Sequence, residues 1–138
     1  MKTRIIMMLF LGLIITATAC KKKDGASEED KKVQMMRQKI LGYWNLVEFI
    51  EETKVGNNPP EIIDNDPKNV YFNFFANGKG KTNAEGEEEF AYEVKANNKL
   101  MLWGYEQIIV ELTDNKLTFK NTATSQGTTY TQTYYLTR

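Results

Sequence analysis

The sequence has 138 residues, with 18 basic and 18 acidic side chains, one cysteine and no histidine. That length suits one domain with a single hydrophobic core. The missing histidine and the single cysteine exclude the commonest zinc, copper and haem ligands and every Ser-His or Cys-His nucleophile. The balanced charge gives no support to nucleic-acid binding, which needs a basic face. We therefore expect no enzymatic activity, no cofactor, no metal site and no nucleic-acid partner.

The first predicted segment is an export signal over residues 1–19. Lys2 and Arg4 precede an apolar run from Ile5 to Ile15, and small residues follow as far as Cys20. This run is too short for a membrane-spanning helix, which needs about 20 residues. The segment Ala17-Thr18-Ala19-Cys20 resembles the lipobox of bacterial lipoproteins, with Ala17 in place of the usual leucine. The resemblance implies that Cys20 carries lipid and attaches the protein to a membrane.

The residues from Cys20 to Ser27 predict a tether between the lipid anchor and the domain, and the membrane to which the protein is attached. Residues 20–27 contain a run of lysines and are expected to form the lipidated cysteine and a solvated tether. Lys21 stands where an aspartate would, by resemblance to other lipoproteins, retain the protein at the inner membrane. We therefore expect a monomer in the cell envelope at the outer membrane, on its periplasmic or its surface side, with one domain over residues 28–138.

A short amphipathic helix is predicted first in this domain, from Glu28 to Leu41. Ser27 and Asp30 form an acidic variant of the capping box at its start. Apolar residues then recur at helical spacing up to Ile40, and Gly42 ends the helix. This helix is expected to pack across one end of the following structure.

After Gly42 the apolar period changes to two, which is the spacing of β-strands. Asn77-Gly78 is the strongest hairpin signal and predicts a type I′ turn. Short connections cannot make parallel crossovers, so neighbouring strands must be antiparallel. Eight strands are predicted, over Tyr43–Glu51, Val70–Phe75, Lys79–Thr82, Glu89–Lys95, Lys99–Trp103, Gln107–Thr113, Lys116–Asn121 and Thr128–Thr137.

The segment Thr53–Asn69 is the exception to the short connections. It contains prolines at positions 59, 60 and 67, which exclude a continuous central strand and predict a long loop. Ile62 and Ile63 give this loop an apolar underside. The loop is either a functional lid or a segment that its isoleucines attach to the rim of the sheet.

Several predicted strands have one apolar and one polar face. Tyr92 shares a face with Phe90 and Val94, and Tyr134 shares one with Tyr130. A sheet with one wet face must bury the other, and eight antiparallel strands suffice to close a small barrel. The predicted fold is therefore all-β, an eight-stranded antiparallel up-and-down β-barrel with one short N-terminal α-helix.

Three segments resemble a known family. Gly42-Tyr43-Trp44 resembles the G-x-W entry into the first strand of lipocalins, and Phe72–Gly80 is similar to the F-x-F-x-x-x-G-x-G hairpin of bacterial lipocalin-like lipoprotein domains. The pattern from Ile108 to Phe119 is similar to their penultimate strands. The resemblance spans about residues 40–138. It implies that Trp44 closes the narrow end of the barrel and that the calyx holds a small apolar or amphipathic molecule.

Three functions remain open at this point, and the missing histidine and free thiol disfavour one of them, a hydrolase or isomerase in the barrel mouth. In the first, the barrel interior binds a small hydrophobic ligand, although the same side chains would also fill a dry core. The candidate binding residues are Phe72, Phe74, Tyr92, Leu102, Val110, Tyr130 and Tyr134. In the second, the protein is an interaction or inhibitor module of the envelope that uses the long loop and exposed aromatic residues. These aromatic residues are Tyr71, Trp103, Tyr105 and Tyr135.

Overall fold

The computed structural model describes residues 25–138, so the predicted export signal, Cys20 and most of the tether lie outside the described residues. In the described part, helix α1 (Glu28–Ile40) precedes nine β-strands. Over the same residues, no helix combines the length and the apolarity needed to cross a membrane. The strands are β1 (Gly42–Val55), β2 (Glu61–Asn65), β3 (Val70–Phe74), β4 (Lys79–Thr82), β5 (Glu88–Lys95), β6 (Lys99–Leu102), β7 (Tyr105–Leu112), β8 (Lys116–Ser125) and β9 (Thr128–Thr137).

Helix α1 begins with the predicted capping box. The Ser27 hydroxyl accepts a hydrogen bond from the Asp30 backbone N–H at 3.1 Å, and the Asp30 carboxylate accepts one from the Ser27 backbone N–H at 3.1 Å. Met36 and Ile40 are buried on the inner side of the helix. The Asn97 backbone N–H, in the turn between β5 and β6, donates to the Glu29 carboxylate at 2.7 Å. The helix therefore covers the end of the sheet that holds this turn, which we call the closed end.

The strands confirm the predicted barrel. β1, β3, β4, β5, β6, β7, β8 and β9 follow one another in an antiparallel sheet, and β1 also pairs with β9. This pairing runs from Asn45↔Thr137 to Val55↔Thr128 and closes the eight strands into a ring. Closure removes the unpaired edges that an open eight-stranded sheet would expose.

The prediction of a long loop over Thr53–Asn69 is wrong. β1 continues to Val55, and β2 folds back on it as a ninth strand, with Thr53 opposite Glu61 and Phe49 opposite Asn65. Pro59 and Pro60 precede β2, and β2 is an edge strand, so no proline blocks its ladder. Ile62 and Ile63 are both exposed and do not attach the segment to the barrel rim.

The turns occur at the predicted positions but differ in type. At Asn77-Gly78 only Gly78 has a positive φ, of 78°, so this turn is not type I′. Asn97 and Asn98, at φ 60° and 58°, have the two positive angles that a type I′ turn requires. Trp103 also has a positive φ, of 50°, which is rare and costly for a bulky side chain.

Trp44 lies in the core at the closed end. Its side chain is fully buried, and its indole N–H donates to the Ile40 carbonyl at 2.8 Å. The Arg138 guanidinium lies over the indole ring at 4.1 Å from its centroid and donates to the Leu41 and Lys39 carbonyls at 2.5 and 3.1 Å. These contacts join the end of α1, the start of β1 and the end of β9.

Candidate functional site

Three barrel strands extend past their neighbours at the end opposite α1. The pairing of β1 with β3 ends at Leu46↔Val70, whereas its pairing with β9 continues to Val55. β8 pairs with β9 over the same length, as far as Ser125↔Thr128. Together with β2, these segments form a four-stranded extension in the order β2-β1-β9-β8, which we call the open-end sheet. It is continuous with the barrel wall.

A row of polar side chains crosses the inner face of the open-end sheet. Glu51 is opposite Gln132, and Gln132 is opposite Asn121. Two residues farther along each strand, toward the closed end, lie buried or half-buried aromatic residues, namely Phe49, Tyr134 and Phe119. Gln132 Nε2 donates to Glu51 Oε1 at 3.3 Å, and Asn121 Nδ2 donates to Gln132 Oε1 at 3.5 Å. From β2, Asn65 Nδ2 donates to Glu51 Oε2 at 3.4 Å. We call Asn65, Glu51, Gln132 and Asn121 the polar row.

A cavity of about 530 Å³ lies against the polar row. This volume is within the range of small-molecule sites, about 300–1,000 Å³. Tyr105 at the start of β7 and Tyr130 on β9 provide its aromatic surface, at 74% and 50% exposure. The lining residues are Glu51, Glu52, Thr53, Tyr105, Glu106, Asn121, Thr122, Ala123, Tyr130, Thr131 and Gln132. Within residues 25–138, no three histidine, cysteine or carboxylate side chains are grouped as metal ligands.

Tyr134 lies below the polar row and is close to carboxylates of the open end. Burial raises the pKa of the Tyr134 hydroxyl above its ordinary value of 10.0, and the nearby carboxylates of Glu51 and Glu85 raise it further. A phenolate at this position would be poorly solvated and would face two like charges. Burial and the two carboxylates therefore both disfavour the ionised form of Tyr134.

This raised pKa predicts alkaline instability. Tyr134 stays neutral in the folded state while the unfolded chain ionises near pH 10, so the stabilisation is complete below pH 10 and is lost as the pH rises through the folded-state pKa. Tyr134→Phe should therefore keep more of its neutral-pH stability at pH 11 than the wild-type protein does. Urea unfolding at pH 8 and pH 11 measures this, with the exposed Tyr105→Phe as control. Equal losses in the wild-type protein and Tyr134→Phe would contradict the prediction.

Three of the sequence-predicted binding residues fill the barrel interior. Phe72, Phe74 and Leu102 are each 1% exposed. The Phe72 ring lies 6.0 Å from those of Phe90 and Phe119, and the Phe74 ring lies 5.5 Å from that of Phe90, measured between centroids. Such edge-to-face contacts are those of a close-packed core.

The three predicted tyrosines lie at different heights in the barrel. Tyr130 lines the cavity. Tyr134 lies just below it and stacks on Phe119 at 4.8 Å between centroids. Tyr92 lies near the closed end, where its hydroxyl donates to the Phe75 carbonyl at 2.7 Å. The structure therefore does not bring these three residues into one site.

The prediction of Val110 as an interior residue is wrong. Val110 is 57% exposed and lies on the outer wall beside Met35 and Met36 of α1. A bulge between Ile109 and Glu111 adds one residue to β7, so the side chains change face at this point. Ile109 takes the buried position instead.

Sequence reasoning missed the polar residues of the open end. Glu51, Asn121 and Gln132 were not singled out, because polar residues in a strand were assigned to the wet face. The two-residue period of the strand could have identified them. Gln132 lies two residues from both Tyr130 and Tyr134, so its side chain points to the same face as theirs. Trp103 is exposed as predicted, at 42%, but its ring also packs 5.1 Å from that of Phe90 and 6.3 Å from that of Phe72.

Comparison with known proteins agrees with this architecture. A family model described as a lipocalin-like domain matches residues 40–119, which is more than half of the chain. No curated protein and no solved structure matches the chain. The matched region begins at the end of α1, continues through the fully buried Trp44 and ends within β8. The chain belongs to the lipocalin-like domain family.

Proposed function

We propose that this protein is a lipid-anchored lipoprotein of the bacterial cell envelope that binds a small, partly apolar molecule at the open end of its barrel. The observation that carries the binding function is the cavity of about 530 Å³, which is lined by Tyr105, Tyr130 and three residues of the polar row, Glu51, Asn121 and Gln132. Apolar surface with a few convergent polar groups is the usual composition of a ligand site.

The binding site proposed here is nearer the rim than the sequence suggested. The interior position of Phe72 is occupied by packed aromatic rings, so a ligand would have to displace them to enter the barrel. At the rim, Tyr105 and Tyr130 are already accessible to a ligand. Binding there requires no repacking of the core.

The test is whether the protein retains a molecule in its native envelope. Native mass spectrometry of the purified chain should find a bound small molecule, and Tyr130→Ala should lose most of it. Tyr43→Ala is the control, because Tyr43 is equally exposed but stacks on Tyr71 at 5.0 Å, outside the cavity. Equal retention by both variants, or an empty wild-type protein, would argue against binding at this site.

The membrane anchor has a separate test. The lipobox-like segment before Cys20 supports acylation of this residue. Cells fed radiolabelled palmitate should incorporate the label into the wild-type chain and not into Cys20→Ala. Label on both chains, or on neither, would rule out the anchor without affecting the binding proposal.

A protein-interaction function is the second candidate, and β2 is the observation in its favour. β2 is the edge strand of the sheet, and its Ile62 and Ile63 are exposed by 59% and 51%. An exposed edge of this kind can pair with a strand of another protein. Crosslinking in intact cells through residue 62 would identify a stoichiometric partner if this function is the correct one.

A further inference from the structure

We infer that the molecule bound at the open end is an organic cation, with an ammonium or guanidinium group beside Glu51 and an apolar body against Tyr105 and Tyr130. This inference rests on the proposed binding function and assigns a chemical class to its ligand. Three features of the cavity lead to it: its charge, its hydrogen-bonding groups and its aromatic surface.

The charge of the cavity is negative. Three of its eleven lining residues are glutamates, and among these described residues there is no lysine or arginine. Glu106 is paired with Lys99 at 3.0 Å. For Glu51 and Glu52, the part of the chain in the structure provides no basic side chain within ion-pairing distance. A half-buried carboxylate in this situation attracts a cationic group.

The Glu51 carboxylate is also held in place by its neighbours. Gln132 donates to one of its oxygens at 3.3 Å, and Asn65 donates to the other at 3.4 Å. Each carboxylate oxygen has two lone pairs, so each can accept one more hydrogen bond. The polar row thus orients a charged acceptor before any ligand binds, which lowers the cost of binding.

Gln107 provides a second, independent observation. Its side chain is 5% exposed, and its Oε1 atom is buried without a hydrogen-bond donor among the described residues. Gln107 lies two residues after Tyr105 on β7 and therefore on the same face of the strand, one step below a residue that lines the cavity. A buried acceptor without a donor is destabilising, and a bound molecule with an N–H group at this position would remove that cost. Ammonium and guanidinium groups provide three and five N–H donors.

The aromatic surface suits the same ligand. Tyr105 and Tyr130 both line the cavity and leave much of their ring surface uncovered. The face of a tyrosine ring attracts a cation and also covers apolar groups. A cationic molecule with an apolar body therefore matches every part of the lining, whereas an anion would meet only repulsion from the glutamates.

Three probes with one ring system test the charge preference: 1-naphthylmethylammonium, 1-naphthalenemethanol and 1-naphthoate. Isothermal titration calorimetry would use the full-length chain in nanodiscs of a zwitterionic lipid, with empty nanodiscs as the blank. We expect the ammonium to bind about tenfold more tightly than the alcohol, because its hydrogen bond to Glu51 is charge-assisted. The carboxylate should bind more weakly than the alcohol.

Two variants with the same change in net charge locate the site. Glu51→Gln should weaken binding of the ammonium about tenfold and change binding of the alcohol little. Glu111→Gln is the control, because Glu111 is an exposed residue near the closed end of β7. An equal loss in both variants would show that net charge alone attracts the probe, which would overturn the inference.

Gln107→Leu separates a ligand contact from a structural role. Leucine removes the unpaired acceptor while preserving the bulk of the side chain, so the melting temperature should rise. The affinity for the ammonium should nevertheless fall about fivefold, since one acceptor for the ligand is lost. A higher melting temperature with unchanged affinity would remove Gln107 from the site and leave the inference without its second observation.

The outcomes distinguish the inference from the function on which it rests. If none of the three probes binds, both the open-end site and its ligand class are wrong. If the alcohol or the carboxylate binds as tightly as the ammonium, and Tyr130→Ala weakens that binding, the site is correct and the cationic ligand class is wrong.

Discussion

Replacing Phe72 with alanine is expected to lower the free energy of unfolding by about 4 kcal/mol. The reason is its position: the ring is 1% exposed and contacts the rings of Phe74, Phe90, Phe119 and Tyr134. Its removal leaves a cavity in the middle of the barrel that the surrounding strands cannot collapse to fill. Urea unfolding of the variant measures the loss.

Tyr43→Ala is the control for this prediction. Tyr43 is also aromatic and lies on β1, but it is about half exposed and stacks on Tyr71. Its replacement should cost about 1 kcal/mol. The comparison also distinguishes a filled barrel from a hollow calyx, because an aromatic residue lining an empty cavity would cost little more than one on the outer wall. Equal costs for Phe72→Ala and Tyr43→Ala would contradict the filled core.

Gly80→Ala is expected to have the second-largest effect, a loss of about 3 kcal/mol. Gly80 lies on β4 between Phe74 of β3 and Phe90 of β5, and the Phe90 ring covers it. A Cβ atom at this position would lie 2.6 Å from the Asn73 carbonyl oxygen and 2.8 Å from Cε2 of Phe90. The ring can move, but the backbone oxygen cannot move without breaking the pairing of β3 with β4.

Gly56→Ala is the matched control for Gly80→Ala. Gly56 has a φ of 56°, and no atom lies within 4 Å of the position that its Cβ would occupy. The control therefore measures backbone strain alone, which should cost about 1 kcal/mol. Thermal unfolding of the two variants should show a clearly larger loss for Gly80→Ala. The reverse order would mean that the last glycine of the F-x-F-x-x-x-G-x-G segment is not required for packing.

Much of the fold could be predicted because its signals are local. The capping box at Ser27 depends on residues three positions apart, and the strands follow from their two-residue period. The antiparallel order follows from turns of two to five residues, such as the one that contains Asn97 and Asn98. Closure into a ring could be inferred from the number of strands and from the need to bury one face.

Residues were assigned to the wrong face of a strand where a bulge adds one residue to it. The bulges after Leu46 in β1 and after Ile109 in β7 each exchange the inward and outward faces, and no residue type marks either of them. Val110 was therefore placed in the interior. β2 was missed for a different reason. It pairs with the second half of β1, and the strand predicted there ended at Glu51.

The proposed binding site could not be predicted, because it is formed by polar residues that share a strand face with apolar residues. Glu51, Asn121 and Gln132 come from three strands, and only the register of β1, β8 and β9 brings them to one level. Sequence patterns assign charged and amide side chains to solvent by default. Their position above Phe119 and Tyr134 depends on pairings between distant parts of the chain.

The closing pair of strands has a consequence for how the protein is made. Val55 and Thr128 lie more than seventy residues apart in the chain, yet they are partners across β1 and β9. During synthesis, the long edge of β1 stays unpaired until β9 has emerged, so closure is a late and slow step. Until then, β9 of a second molecule can take the vacant place, and crowded nascent chains would exchange their final strands rather than complete their own rings.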